Sequence, residues 1–290
     1  MALKKRIVFC GIILSFVFST LPASTEEKPE IISLLGKKFY ATPAQGEELQ
    51  KLQKDLAEAK KNFVANPKDV EAIMLYGRRL AYLWRYHEAI EVFSRGIKEY
   101  PNQAMLYRHR GHRYISIRSF DKAAVDLDRA ARLNDHDFDI WYHLGLAHYL
   151  RGEFSPAAKA YRNCLSCAQD DDSKIAISNW LYITLRRLDR KDEASKILEG
   201  SKEGMKVVEN QTYYDLLSLY KGLKTEADLE KASLASELDF STIGYGLGCW
   251  NLYNGNAAKA KTYFQKVVEG KYWPAFGFIA AEAELTRMKK

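Results

Sequence analysis

The residues best equipped for chemistry are six histidines, His87, His109, His112, His136, His143 and His148, all between positions 87 and 148 of a 290-residue chain. Imidazole ligates zinc and copper and exchanges protons near neutral pH. His109 and His112 stand three apart, on one helical face where two ring nitrogens could chelate, and His143 is the third member such a site would recruit. No carboxylate or cysteine completes a ligand set at the required spacing, so neutral structural or exposed imidazoles are expected and no bound metal. Cys164 and Cys167 have the C-x-x-C spacing of redox motifs. That motif works at a helix N-terminus, where the dipole lowers a thiol pKa; here it falls at the end of an apolar periodicity, which predicts inert thiols. The run Asp170-Asp171-Asp172-Ser173 lacks the spaced oxygens and glycine of a calcium loop and reads as a helix cap. Nucleophile motifs, phosphate-cradling glycine loops and paired catalytic carboxylates are missing from the sequence. The expectation is a protein with neither enzymatic activity nor a cofactor.

The elements that would carry these residues are clearest over positions 140–165. Trp141, Leu144, Gly145 and His148 recur at one-face helical spacing, and Ala157, Tyr161, Cys164 and Leu165 do the same after a turn. This predicts a helical hairpin in which Gly145 and Ala157 let two axes approach while Trp141 and Tyr161 fill the sides. One such hairpin cannot bury its apolar faces alone. Steps of thirty-four residues supply its neighbours: Gly77, Gly111 and Gly145; Ala89, Ala123 and Ala157; Phe93, Leu127 and Tyr161; Tyr86, Phe120 and Phe154.

This period resembles the tetratricopeptide repeat family, with Trp141, Leu144 and Gly145 matching the first-helix signature, Ala157 and Tyr161 the second, and Pro101 the closing proline. His148 stands where the family has an aromatic, Arg110 where it has Leu, and Asp135 where it has Pro. The resemblance implies an all-α, right-handed solenoid of antiparallel helical hairpins. Beyond Leu165 the slots degenerate. Ile175–Arg187 with Asp192–Leu198, and Tyr213–Leu223 with Glu226–Leu238, are the expected fourth and fifth hairpins, and Gly248, Ala260 and Phe264 restore the spacing in a sixth.

Stacked hairpins present a concave face made by their first helices, and such faces bind partners. The resemblance assigns that face Met74, Arg78 and Tyr82, then Arg108, His112 and Ser116, then Tyr142, Leu146 and Tyr149. From these, Arg78, Tyr82, Arg108, His112, Tyr142 and Tyr149 form the expected partner-binding set, a cationic and aromatic groove suited to acidic and apolar protein segments. The Lys and Asn combination with which chaperone-binding members hold a terminal carboxylate is lacking. A non-catalytic scaffold or adaptor is thus the expected function. The alternative is a metal-binding protein or enzyme with a histidine site, His109, His112 and His143, in the same groove.

At the start of the chain Lys4, Lys5 and Arg6 precede an apolar run from Ile7 to Phe18 and a small-residue stretch from Ser19 to Ser24, the pattern of a secretory leader. Twelve apolar residues are too few for an ordinary spanning helix, and no later run reaches the roughly twenty required, so the mature chain is expected to carry no transmembrane segment. The expected compartment is periplasmic or extracellular. The formal charge of +7 falls to +4 when those three basic residues leave, and no dense Lys/Arg face suggests nucleic acid as a partner. The expected organisation is a leader over 1–24, an extension with a capping helix over 25–66, repeats over 67–269 and a C-terminal capping helix over 270–290. Within the repeats, 67–168 holds three clear units, 169–240 two degenerate ones and 241–269 one clear unit. Cleavage needs small residues, and Val17-x-Ser19 and Leu21-x-Ala23 are the available pairs. The intact mass of exported protein should therefore correspond to a first residue between 20 and 25; a membrane-bound chain beginning at Met1 would mean a retained anchor.

Overall fold

Several helices begin where a short polar side chain meets the free N–H groups of a first turn. Asp69 accepts from Glu71 and Ala72, Asp137 from Ile140, Asp170 from Ser173, and Ser236 from Asp239. The computed structural model describes residues 28–41 and 44–289, so the predicted leader over 1–24 lies outside the described residues. Two short strands, β1 (Ile31–Ile32) and β2 (Lys38–Phe39), pair antiparallel ahead of α1 (Gly46–Ala65). Six hairpins follow: α2 (Val70–Tyr82) with α3 (Tyr86–Glu99), α4 (Ala104–Ser116) with α5 (Phe120–Leu133), α6 (Phe138–Arg151) with α7 (Phe154–Cys167), α8 (Asp171–Arg187) with α9 (Lys191–Glu199), α10 (Gln211–Tyr220) with α11 (Glu226–Ala232), and α12 (Glu237–Tyr253) with α13 (Ala257–Glu269). The last helix is α14 (Phe276–Arg287). The fifth hairpin's second helix stops at Ala232 instead of running to Leu238, because Ser236 caps the next helix. Among the described residues no helix is long and apolar enough to cross a membrane.

The glycine slots are steric. A Cβ placed on Gly77 would lie 2.5 Å from the Phe93 ring, and one on Gly111 would lie 2.7 Å from Leu127. Gly145 against Tyr161 and Gly248 against Phe264 repeat the arrangement, each pair separated by the same sixteen positions. The helix–helix approach is thus set by a large side chain from the second helix lying on bare backbone of the first. Within each hairpin one turn residue takes positive φ: Trp84 (57°), Arg118 (62°), Gly152 (82°), Asp189 (56°), Gly222 (75°) and Gly255 (85°). Trp84 and Arg118 adopt there a conformation that costs a side-chain-bearing residue about 1–2 kcal/mol.

Both are held by the far end of the chain. Trp84 packs edge-on against Tyr272 and Trp273, at 5.5 and 5.3 Å between ring centres. Arg118 donates from Nε to Glu282 and from Nη2 to the Trp273 carbonyl, each at 2.9 Å, in a pair whose side chains are 3% and 1% exposed. Trp273 therefore precedes α14 instead of opening it. The strand pair closes the other side: Phe39 stacks on Trp273 at 5.7 Å and meets Phe278 edge-on at 5.6 Å. α14 packs on α13, where a capping helix would sit, and also on α12 and across to α6. It is buried from Gly277 to Leu285, so the C-terminal segment occupies the inner side of the solenoid.

Candidate binding site on the concave face

That occupation divides the six residues expected to line an open groove. Tyr149 is fully buried, its hydroxyl accepting from Tyr245 at 2.7 Å and its ring edge-on to Trp180. Tyr142 is 8% exposed, between Phe138 at 5.8 Å and Phe276 of α14 at 6.2 Å. His112 is part-buried, with its ring 4.2 Å from that of His143 and 5.3 Å from that of Phe276. The expectation that these three stand open to a partner is corrected in part: Tyr149 and Tyr142 are covered because Phe276 and the buried aromatics around Trp180 take the space in front of α6.

The other three remain at an opening. Arg78 and Tyr82 are exposed and joined by a 3.2 Å hydrogen bond from Nη2 to the phenol oxygen. Arg108, 13% exposed, pairs with Asp139 at 2.5 Å and donates from Nη1 to His109 Nδ1 at 3.0 Å, while its buried Nε has no partner. With His109, His112, Arg113, Phe93 and Met105 they border a cavity of about 370 Å³. Across Asp139 lies a second cavity of about 710 Å³ with acidic walls from Asp137, Asp170, Asp172 and Glu209. Most of those carboxylates are engaged. Asp137 caps α6, Asp170 caps α8 as the sequence suggested for its acidic run, and Asp172 accepts from the backbone N–H groups of Val208, Glu209 and Asn210, pinning the loop before α10.

The sequence reading missed Arg113 and Asp139. Arg113 lies two residues beyond the glycine of its repeat, off the phase used to select groove residues. Asp139 sits in the first turn of α6, where an acidic residue is ordinarily a partner for the helix dipole.

The histidines of the opening are held neutral. Burial pulls His109 down to about 3, assisted by the neighbouring guanidiniums of Arg108, Arg113 and Arg78. Burial, with Arg113 next in effect for His112 and Arg108 for His143, drives both of those well below the usual imidazole range. An arginine can only donate, so His109 Nδ1 is an acceptor and its proton sits on Nε2. His143 Nδ1 faces the Asp139 carbonyl at 2.5 Å and must donate. Among the described residues no group of three or more His, Cys, Asp or Glu side chains is arranged around a common metal position. Cys164 and Cys167 are free thiols; Cys164 is buried, donates to the Phe138 carbonyl, and has its thiol pKa pushed up by that burial.

Six helical hairpins, a glycine against a large side chain sixteen positions on in four of them, and one left-handed residue in each turn define an α-solenoid of tetratricopeptide type. The comparisons agree with that class. The chain is similar to tetratricopeptide repeat protein 12 of Mus musculus, 26% identical over 114 residues, which is 39% of this chain and 16% of that one. It is 27% identical over 101 residues to the small glutamine-rich tetratricopeptide repeat-containing protein 2 of Saccharomyces cerevisiae, 35% of this chain and 29% of that one. Over 149 residues it is 25% identical to human tetratricopeptide repeat protein 13, 51% of this chain and 17% of that one. The match thus spans less than a third of each of these relatives. The crystal structure of MamA superposes with a TM-score of 0.47 at 21% identity, over 61% of this chain and 94% of that one. No family model matches the chain.

Depressed imidazoles carry a sign. Between pH 6.5 and about 3 the unfolded chain protonates His109 while the folded chain does not, so unfolding takes up a proton and stability falls as pH falls. Urea denaturation at pH 7.0 and 5.5 should show this loss, at up to about 1.4 kcal/mol per pH unit for each such histidine. His109→Gln should reduce the slope by about one proton; an unchanged slope would mean that His109 titrates normally in the folded chain.

Proposed function

We propose that this protein is a non-catalytic scaffold whose concave opening, bordered by Arg78, Tyr82 and Arg108, binds a protein segment with acidic and apolar side chains. One observation carries the reading: the chain's own α14 exemplifies what the inner face accepts. It is an apolar helix whose two buried carboxylates are each met by an arginine, Glu282 by Arg118 from the turn of the second hairpin and Glu284 by Arg187 of α8 at 3.2 Å. The opening beside it offers the same chemistry, guanidiniums flanked by Tyr82, Phe93 and Met105. Arginine can take a carboxylate bidentately, and tyrosine covers apolar area with little loss of rotamer freedom. The leader-like N-terminus supports action beyond a membrane. The histidine-site alternative gains no support: Nδ1 of His109 faces Arg108 and Nδ1 of His143 a backbone carbonyl, and the two side chains belong to no group of three ligands among the described residues.

Fluorescence anisotropy with a labelled peptide of alternating Glu and Leu tests this. Arg78→Glu combined with Tyr82→Ala, both at exposed positions, should weaken binding by about 30-fold or more, the effect of removing true anchors. Melting temperature should not change. Unchanged affinity in the folded double mutant would overturn the assignment of the site.

A further inference from the structure

Interior guanidiniums of this protein are met by acceptors. Arg118 has Glu282, Arg187 has Glu284, Arg110 has Asp126, and Arg186 donates to the Tyr253 carbonyl. Arg113 is the exception. It is part-buried on α4, its guanidinium lies 5.3 Å from the centre of the Tyr86 ring, and among the described residues no carboxylate faces it. Burial, with the nearby Arg108 charge adding to it, pulls its pKa down to about 10. Charged groups even partly withdrawn from water are normally paired.

Arg113 opens onto the same cavity as Arg78 and Arg108. Around it three permanent positive charges face one carboxylate, Asp139, because the two imidazoles there are neutral. Two positive charges are left uncompensated. The space of about 370 Å³ falls within the range of small-molecule sites, roughly 300–1,000 Å³, and exceeds what a bare ion requires. Phe93, stacked on His109 at 5.4 Å, and Met105 give it an apolar wall.

We propose that this cavity is a binding site for a small organic dianion, a phosphate monoester or a dicarboxylate, held by Arg78, Arg108 and Arg113. The N–H on His109 Nε2 supplies a further donor. The site goes beyond the scaffold reading, since it needs no protein partner. An acidic segment could still end in it.

The test is thermal unfolding and titration calorimetry of the whole chain at pH 7.5 and fixed ionic strength, with phosphoserine, succinate or acetate as probes. A dianion should bind one to one and raise the melting temperature by about 3 °C or more at saturating concentration, while acetate should not. Phosphoserine binding above succinate would assign the phosphoryl source, and the reverse the dicarboxylate. Arg113→Met should abolish the shift and leave the ligand-free melting temperature equal or higher, because it removes an unpaired charge while keeping the apolar stem. No shift with either dianion, a shift that survives in Arg113→Met, or a mutant that melts lower than the wild type without ligand would overturn the proposal. The last result would mean that Arg113 serves only to pack on Tyr86.

Discussion

The ion pair between Arg118 and Glu282 joins residues 164 positions apart and lies almost wholly out of solvent. Taking two such charges from water costs several kcal/mol each, and their attraction repays this only when geometry is fixed and the remaining donors are met. They are met here: Nη1 bonds the Ser116 carbonyl at 2.6 Å and Nη2 that of Trp273. Glu284, two residues on, projects from a different side of the same helix to reach Arg187 and Arg287. With both carboxylates fixed, α14 has one seat, and the second, third, fourth and sixth hairpins are tied to it.

From this seat follow the features that distinguish the molecule from an open stack of repeats. Trp84 and Arg118 hold a strained turn conformation because their side chains reach the C-terminal segment. Phe39 brings the N-terminal strands to the same point, so both described ends of the chain meet around Trp273. Covering the middle of the concave face removes Tyr142 and Tyr149 from solvent. The basic cavity of the first two hairpins stays open, and there the charges of Arg78, Arg108 and Arg113 are not cancelled by α14.

The repeat architecture was legible in the sequence because its determinants are local and steric. A glycine sixteen residues before a large side chain is a pairing within one hairpin, and it recurs at Gly248 and Phe264 after two degenerate units. The placement of α14 is a long-range fact and was read only as a terminal cap. Signals for it existed. Gly277, Phe278, Ile279, Ala280, Ala281, Ala283 and Leu285 run round the whole helix and leave no continuous polar stripe, which marks burial on all sides. Stepping back thirty-four residues from Gly152 lands on Arg118 and then Trp84, large residues at a position that favours glycine, which implies a compensating contact elsewhere. The partner-binding set was legible in chemistry but not in exposure, since helical phase identifies an inner face without telling whether the chain itself fills it.

A double-mutant cycle by urea denaturation tests most directly that α14 is held in the concave face by Arg118 and Glu282. Arg118→Met and Glu282→Leu should each cost about 3–5 kcal/mol, because each leaves one buried charge unpaired. The double mutant should recover much of that loss, with a coupling of about 2 kcal/mol or more. Single mutants that each cost less than about 1 kcal/mol and simply add would be the behaviour of an exposed pair, and would contradict the closed arrangement.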